Sequence, residues 1–182
     1  MKHLLLASLA LLSLSAQAIE YKQLDTASSR LQFVFKQMNV PVEGQFKRFA
    51  GQVAFDPAKP AAARAELSIE VAGIDAGSPE ANDEVGSKLW FDSKSHPTVR
   101  FVATSIKPAG KDRFDVAGRM IIKGRTQDVS APATFRTAGN RAVFDGSFVL
   151  KRADFGIGEG IWADFGTVAN DVQIKFHLVV KP

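Results

Sequence analysis

The stretch DVQIKFHLVV, Asp171 to Val180, alternates with hardly a fault. In an extended chain Val172, Ile174, Phe176, Leu178 and Val180 fall on one side, and Asp171, Gln173, Lys175 and His177 fall on the other. Successive side chains of a strand point to opposite faces, so this segment is a strand with one dry face and one wet face. The dry face must look either at a packed protein core or at something that is not protein.

The same pattern recurs upstream. RAELSIEVA from Arg64 puts Ala65, Leu67, Ile69 and Val71 on one face, and RFDVAGRMIIK from Arg113 does so with Phe114, Val116, Met120 and Ile122. RAVFDGSFVLK from Arg141 aligns Ala142, Phe144, Gly146, Phe148 and Leu150. Leu31, Phe33 and Phe35 begin the series, and Val99, Phe101 and Ala103 continue it. Repeated period-two alternation predicts antiparallel strands with one buried face. GQFKRFAGQVAF from Gly44 changes phase between Phe46 and Phe49, which predicts a bulge or bend at Lys47-Arg48. Pro132 lacks a ladder donor and predicts an edge or bulged position. Turn signals at DPAKP, PAGKD, KGRTQ and TAGN separate short strands at regular spacing, as in a sandwich or barrel. One helix is expected, capped by Ser78, begun by Pro79, carried by Ala81, Val85 and Leu89 at i, i+4 spacing and ending near Trp90-Phe91.

The opening MKHLLLASLALLSLSAQA has the layout of a cleavable secretory leader: basic Lys2, an apolar run from Leu4 to Leu14, and Ala16-Gln17-Ala18 as an A-x-A cleavage site. That run is too short for an ordinary membrane span, and no later stretch approaches the ~20 apolar residues a span needs. The mature protein is therefore expected to begin at Ile19, to form one domain over residues 19–182, and to lie in a bacterial periplasm with no integral membrane segment and no lipidated cysteine. Cysteine is absent from the chain, so packing rather than disulfides must hold it together. The 23 Lys and Arg against 19 Asp and Glu form no basic run, which argues against nucleic acid as a partner.

Catalytic equipment is sparse. Beyond the leader the histidines are His96, before a proline, and His177, on the wet face of the last strand; no H-x-x-x-H spacing and no G-x-S-x-G elbow occurs. FGIGEGIW from Phe155 lacks the G-x-G-x-x-G spacing and follows no βαβ unit, so a flexible turn between strands is expected in place of a nucleotide loop or, if the segment is functional, part of a barrel mouth with Trp162 and Phe155 packing at the entrance. Asp154, Glu159 and Asp164 in and near it are expected to be solvated. No catalytic residue, metal ligand or cofactor is predicted.

From the residues alone, the Phe-rich inward set is compatible with a filled core or with a barrel that keeps room for one ligand. WFDSKSHPTVRF from Trp90 resembles the FFD-x-x-x-x-P-x-x-x-F hallmark of the YceI-like lipid- or polyisoprenoid-binding family. LDTASSRLQF, GQFKRFAGQVAFDP, IDAG, GRMIIKGRTQDVSAP, LKRADFGIG and NDVQIKF agree with it in order, across essentially the whole chain after the leader. The resemblance implies an all-β, extended lipocalin-like antiparallel barrel of about eight strands with one short helix. It further implies a long isoprenoid lipid, of polyprenyl or quinone type, held in the interior, and paired barrels. The chain departs from the family pattern at Ser28, at Lys36-Gln37-Met38-Asn39 and in PEANDEVGSKL, where polar contacts to a head group are expected.

Alternation and resemblance together predict a tunnel wall of Phe33, Phe35, Leu67, Ile69, Phe101, Phe114, Met120, Phe144, Phe148, Ile174 and Phe176, with Trp90, Phe91 and Trp162 near its ends. The alternatives are a filled barrel serving as an interaction or stress-response module and, more remotely, a lipid-modifying enzyme.

Overall fold

The computed structural model describes residues 19–182; the leader expected over residues 1–18 lies outside the described residues. The strands are β1 (Gln23–Leu24), β2 (Arg30–Gln37), β3 (Val40–Phe46), β4 (Phe49–Ala54), β5 (Arg64–Glu70), β6 (Ile74–Asp75), β7 (Thr98–Pro108), β8 (Arg113–Ile122), β9 (Arg125–Ala138), β10 (Arg141–Lys151) and β11 (Asp171–Lys181). All pair antiparallel in one sheet, in the order β4-β5-β7-β8-β9-β10-β11-β2-β3-β6, with β1 laid on β11.

Apart from the two-residue β1, the segments reduce to eight long strands because two of these are bent. β3 and β4 are one strand broken at Lys47-Arg48, and β5 and β6 are one strand broken by a 3₁₀ turn, Val71–Gly73. The two breaks face each other: Lys47 N–H donates to Gly73 O at 2.8 Å, and Glu70 N–H donates to Arg48 O at 3.0 Å. β3 pairs β2 from Val40 to Gln45 while β4 pairs β5, so the bent strand joins the two ends of the sheet and curls it into a barrel. The wedge left beside β4 is covered by residues near the start of the described chain, where Tyr21 bridges Phe55 and β1 pairs with β11. A closed sheet leaves no long unpaired edge for another chain to extend.

Pro132 is neither at an edge nor in a bulge. It lies inside β9, opposite Asp115 of β8, and the β9–β10 ladder begins at the next residue, Ala133 opposite Gly146. The missing donor thus falls where pairing on that side has stopped. The irregularity in register lies instead in β7, between Ala103 and Ser105, and it resets the phase so that Ile106 faces inward.

Helix α1 (Pro79–Gly86) starts where predicted, with Ser78 Oγ accepting the Ala81 N–H at 3.2 Å. It ends earlier than predicted, at Gly86, well before Trp90-Phe91. Ser87 adopts an extended conformation and donates its N–H to Glu84 O, and Phe91 N–H then returns to Val85 O. Glycine is a weak helix former and the following turns supply other partners, so two aromatic side chains are set on a compact non-helical corner rather than on the helix.

The interior divides into two packed regions. At one end Tyr21, Phe55, Phe114, Ala142 and Val180 are buried with Phe135 and Phe144 against them. Phe55 meets Phe114 and Phe144 edge-on, with ring centres 5.4 and 4.9 Å apart. Those rings seal that end. At the other end α1 and the segment between β10 and β11 surround an opening.

Candidate functional site: an apolar tunnel with a polar mouth

The dry face of β11 looks into a tunnel. A cavity of about 530 Å³ opens between α1 and residues 152–168 and is lined by Phe33, Phe35, Ile69, Trp90, Phe91, Met120, Trp162 and Ile174, among others. A narrower lobe of about 130 Å³ continues toward the sealed end between Leu67, Ile69, Phe101, Phe114, Met120, Phe144, Phe148, Ile174 and Phe176. Phe46, Ile69, Met120 and Ile174 border both lobes, so the two are successive parts of one passage. Every residue expected in the wall or near its ends borders one lobe or the other. Phe135, also an inward residue by alternation, belongs to the plug and not to the wall.

The rings leave this space because several of them lie along the wall. Phe33 is opposite Gly44 across the β2–β3 ladder and Phe176 is opposite Gly146 across the β10–β11 ladder, each ring occupying the place of a neighbouring Cβ. Phe101 likewise covers Gly118. A phenyl laid over a glycine adds its thickness rather than its length to the wall, and the middle of the barrel stays open.

Polar chemistry is concentrated at the mouth, with Arg64 the charged residue that borders the inner lobe among the described residues. The charged residues lining the wider lobe are Glu80, Glu84 and Arg152. Glu84 Oε1 accepts the Trp162 indole N–H at 2.7 Å, which ties α1 to the opposite wall. The carboxyl of Glu80 is held below its ordinary pKa by its own backbone N–H, with the Ser78 hydroxyl adding to the effect. Trp90 meets Trp162 edge-on at 5.7 Å, and its indole N–H is buried with no acceptor among the described residues. A buried donor without a partner is uncommon and costs roughly 1–3 kcal/mol.

Arg152 was missed from the sequence, where it follows Lys151 at the end of a strand and resembles a solvent-facing charge. It is 1 % exposed. All five of its N–H groups are used: Nε donates to Ala169 O, Nη1 to Ile157 O and Gly158 O, and Nη2 to Trp162 O and Val168 O, at 2.7 to 3.1 Å. Its guanidinium also lies 5.7 Å from the Trp90 ring centre and 5.3 Å from that of Phe165. Burial lowers its pKa. One side chain therefore organises the segment from Ile157 to Ala169, and FGIGEGIW is not a flexible turn. Phe155 and Ile157 are buried in the core; Ile157 and Trp162 border the wider lobe and Phe155 does not.

The acidic residues of that segment are structural. Glu159 pairs with Lys123 at 2.9 Å and Arg125 at 3.3 Å, and Asp164 accepts from Gly166 N–H and the Thr167 hydroxyl. Neither His nor Cys borders either lobe, and His177 contacts Asp145 on the outer face at 2.6 Å. Among the described residues no group of three or more His, Cys, Asp or Glu is placed to hold a metal ion. An apolar tube with a few fixed polar groups at one end is the equipment of a small-molecule binding site.

A family model described as the YceI-like domain matches residues 22–180. A UPF0312 protein of Azotobacter vinelandii is 32 % identical over 137 residues, covering 72 % of this chain and 69 % of its own. The crystal structure of Burkholderia cenocepacia BcnA is 46 % identical, with a TM-score of 0.84 over 86 % of this chain and 99 % of its own. A polyisoprenoid-binding domain from Saccharophagus degradans shares the fold at 17 % identity, with a TM-score of 0.71 over 89 % of this chain and 98 % of its own. Two bent strands that close a barrel, a tunnel lined by flattened rings and a match along nearly all the described residues agree: the chain belongs to the YceI-like family.

Proposed function

We propose that this protein binds one long-chain isoprenoid lipid, with the tail along the tunnel and the head group at the mouth between α1 and Trp162. The observation that carries this reading is the two-lobed passage, whose inner lobe is bordered among the described residues by a single charged residue, Arg64. Each methylene moved from water into such a lining is worth ~0.8 kcal/mol, so a prenyl tail gains strongly from enclosure, less the cost of ordering it. The polyisoprenoid-binding neighbour from Saccharophagus degradans supports the same ligand class.

The mouth favours a neutral head group that accepts hydrogen bonds, as a quinone carbonyl does. Glu80 and Glu84 repel an anion, and Arg152 has no N–H left to offer a phosphate. The Trp90 N–H is a donor without an acceptor among the described residues. In this proposal the protein is exported to the periplasm, where it carries or stores the lipid, and two barrels pair there.

The test is native mass spectrometry of the protein recovered from the periplasmic fraction of a bacterial host, followed by organic extraction. A stoichiometric adduct that extracts as an isoprenoid quinone is expected. A bare chain beginning at Ile19, even after prenyl lipids are added back, would remove the proposal.

A further inference from the structure

Among the described residues seven large apolar side chains are exposed, and five of them, Met38, Val40, Leu89, Ile161 and Phe165, belong to segments that build the tunnel mouth. Met38 donates its N–H to Thr167 O, and its neighbour Gln37 borders the cavity and bridges Val168. Val40 pairs with Gln37 across the β2–β3 turn. Leu89 accepts N–H groups from Gly158 and Glu159 and precedes Trp90. Ile161 precedes Trp162, and the Phe165 ring lies against Arg152. Single exposed apolar residues are ordinary, but a set drawn together around one opening marks an interaction surface.

Neither packing nor turn chemistry accounts for these residues. Met38 is 73 % exposed at φ 50° and Asn39 follows at φ 64°, a hairpin turn that favours Asn, Asp or Gly at both positions. Ile161 is 81 % exposed in a single 3₁₀ turn. The charges of these segments are mixed in sign, with Lys36 and Lys88 exposed, Glu80 and Glu84 at the cavity and Glu159 already paired.

We propose that this rim of apolar side chains around the tunnel mouth is a docking surface for a lipid bilayer. The inference rests on the lipid-binding reading above. A prenyl tail that crossed water between bilayer and protein would expose its methylenes to water on the way, and a rim pressed into the head-group layer removes that gap. The rim is continuous with the opening through which the tail passes, its side chains are apolar, and the charges of its segments are mixed in sign. These features match a bilayer driven into contact by apolar burial and not one held by its charge.

The experiment compares the protein from Ile19 onward with the Met38→Asn/Ile161→Ser variant on vesicles of phosphatidylethanolamine and phosphatidylglycerol. Asparagine suits the left-handed turn position, so the variant keeps or gains stability, and its melting temperature checks this. The parent is expected to co-sediment with vesicles and to remain bound at ~1 M salt, where charges are screened beyond ~3 Å. In the variant, co-sedimentation should fall at least fivefold and transfer of a fluorescent prenyl quinone between vesicles about tenfold. The amount of the same quinone taken up from detergent solution should not change.

A parent that does not bind vesicles, or a variant that binds and transfers as the parent does, would overturn the docking surface. Transfer that needs an added periplasmic extract, without vesicle binding, would overturn it too and would give the rim to a protein partner. Failure of uptake from detergent by the parent would instead remove the lipid-binding reading, and vesicle binding would still be measured separately.

Discussion

Gly146 of β10 stands directly opposite Phe176 of β11, and the Phe176 ring lies where any Cβ at position 146 would project. Pro132 O of β9 approaches the same point from the other side, so a side chain there has nowhere to go but into the ring. Gly146→Val should push Phe176 into the tunnel, lower stability by about 1–3 kcal/mol through overpacking and reduce lipid retention. Thermal unfolding and the adduct ratio in native mass spectrometry give the two readouts. Gly146→Val/Phe176→Ala removes the ring while Pro132 O still crowds the added side chain, so retention should recover in part with stability still below the parent; no recovery at all would mean that the ring is not what obstructs the tube.

Trp90→Phe tests the head-group donor. The indole N–H has no acceptor among the described residues, so its removal should leave the melting temperature of the lipid-free protein unchanged or slightly raised. Quinone affinity should fall by about 0.5–1.5 kcal/mol, a factor of roughly 2 to 13. Titration followed by the remaining Trp162 fluorescence measures it, and a saturated prenyl hydrocarbon lacking the carbonyl should bind both proteins alike.

Arg152→Met would strand five carbonyl oxygens around a buried side chain of similar length. Hydrogen bonds to a charged donor are worth roughly 1.5–3 kcal/mol each, and the freed carbonyls recover part of that in water, so a loss of at least ~3 kcal/mol is expected. Hydrogen exchange should show early opening of residues 157–169 with β2 and β11 still protected. Arg152→Lys should rescue little, because one ammonium has three donors and no planar fork.

Alternation in DVQIKFHLVV and its counterparts made the inward residues legible, since a strand's two faces are written in its period and each named wall residue needed only the correct phase. The phase change at Lys47-Arg48 was legible as well, because Phe46 and Phe49 cannot share a face in an unbroken strand. Whether the rings filled the barrel was not legible from their number. It depends on which glycine each phenyl meets across a ladder, and pairing between Phe176 and Gly146 is a matter of register between separate segments. Arg152 was hidden for a similar reason: its five partners are backbone carbonyls, which carry no residue identity. Trp90-Phe91 was set on a helix by the apolar spacing of Ala81, Val85 and Leu89, but capping at Ser87 after Gly86 won locally.

Asp75 sits where the bent strands close the barrel, paired with Gln45 in the β3–β6 ladder. Lys47 Nζ lies 2.7 Å from its carboxylate, and Gly77 N–H and Gln45 Nε2 donate to it at 3.2 and 3.4 Å. Lys47 first, then these two donors, hold its pKa down from 3.8 to about 2. The native state therefore binds this proton less readily than the unfolded chain does. The resulting stabilisation is complete above 3.8 and is lost as pH falls toward about 2. Asp75→Asn should melt below the parent at neutral pH, with a difference that shrinks through that interval and vanishes below it. The comparison isolates Asp75 from Asp25, Glu159 and Asp164, whose carboxyls are also held low and titrate equally in both proteins. A melting-temperature difference that stayed constant from neutral pH to about 2 would assign the loss to the amide's packing at the closure point and not to the ion pair with Lys47.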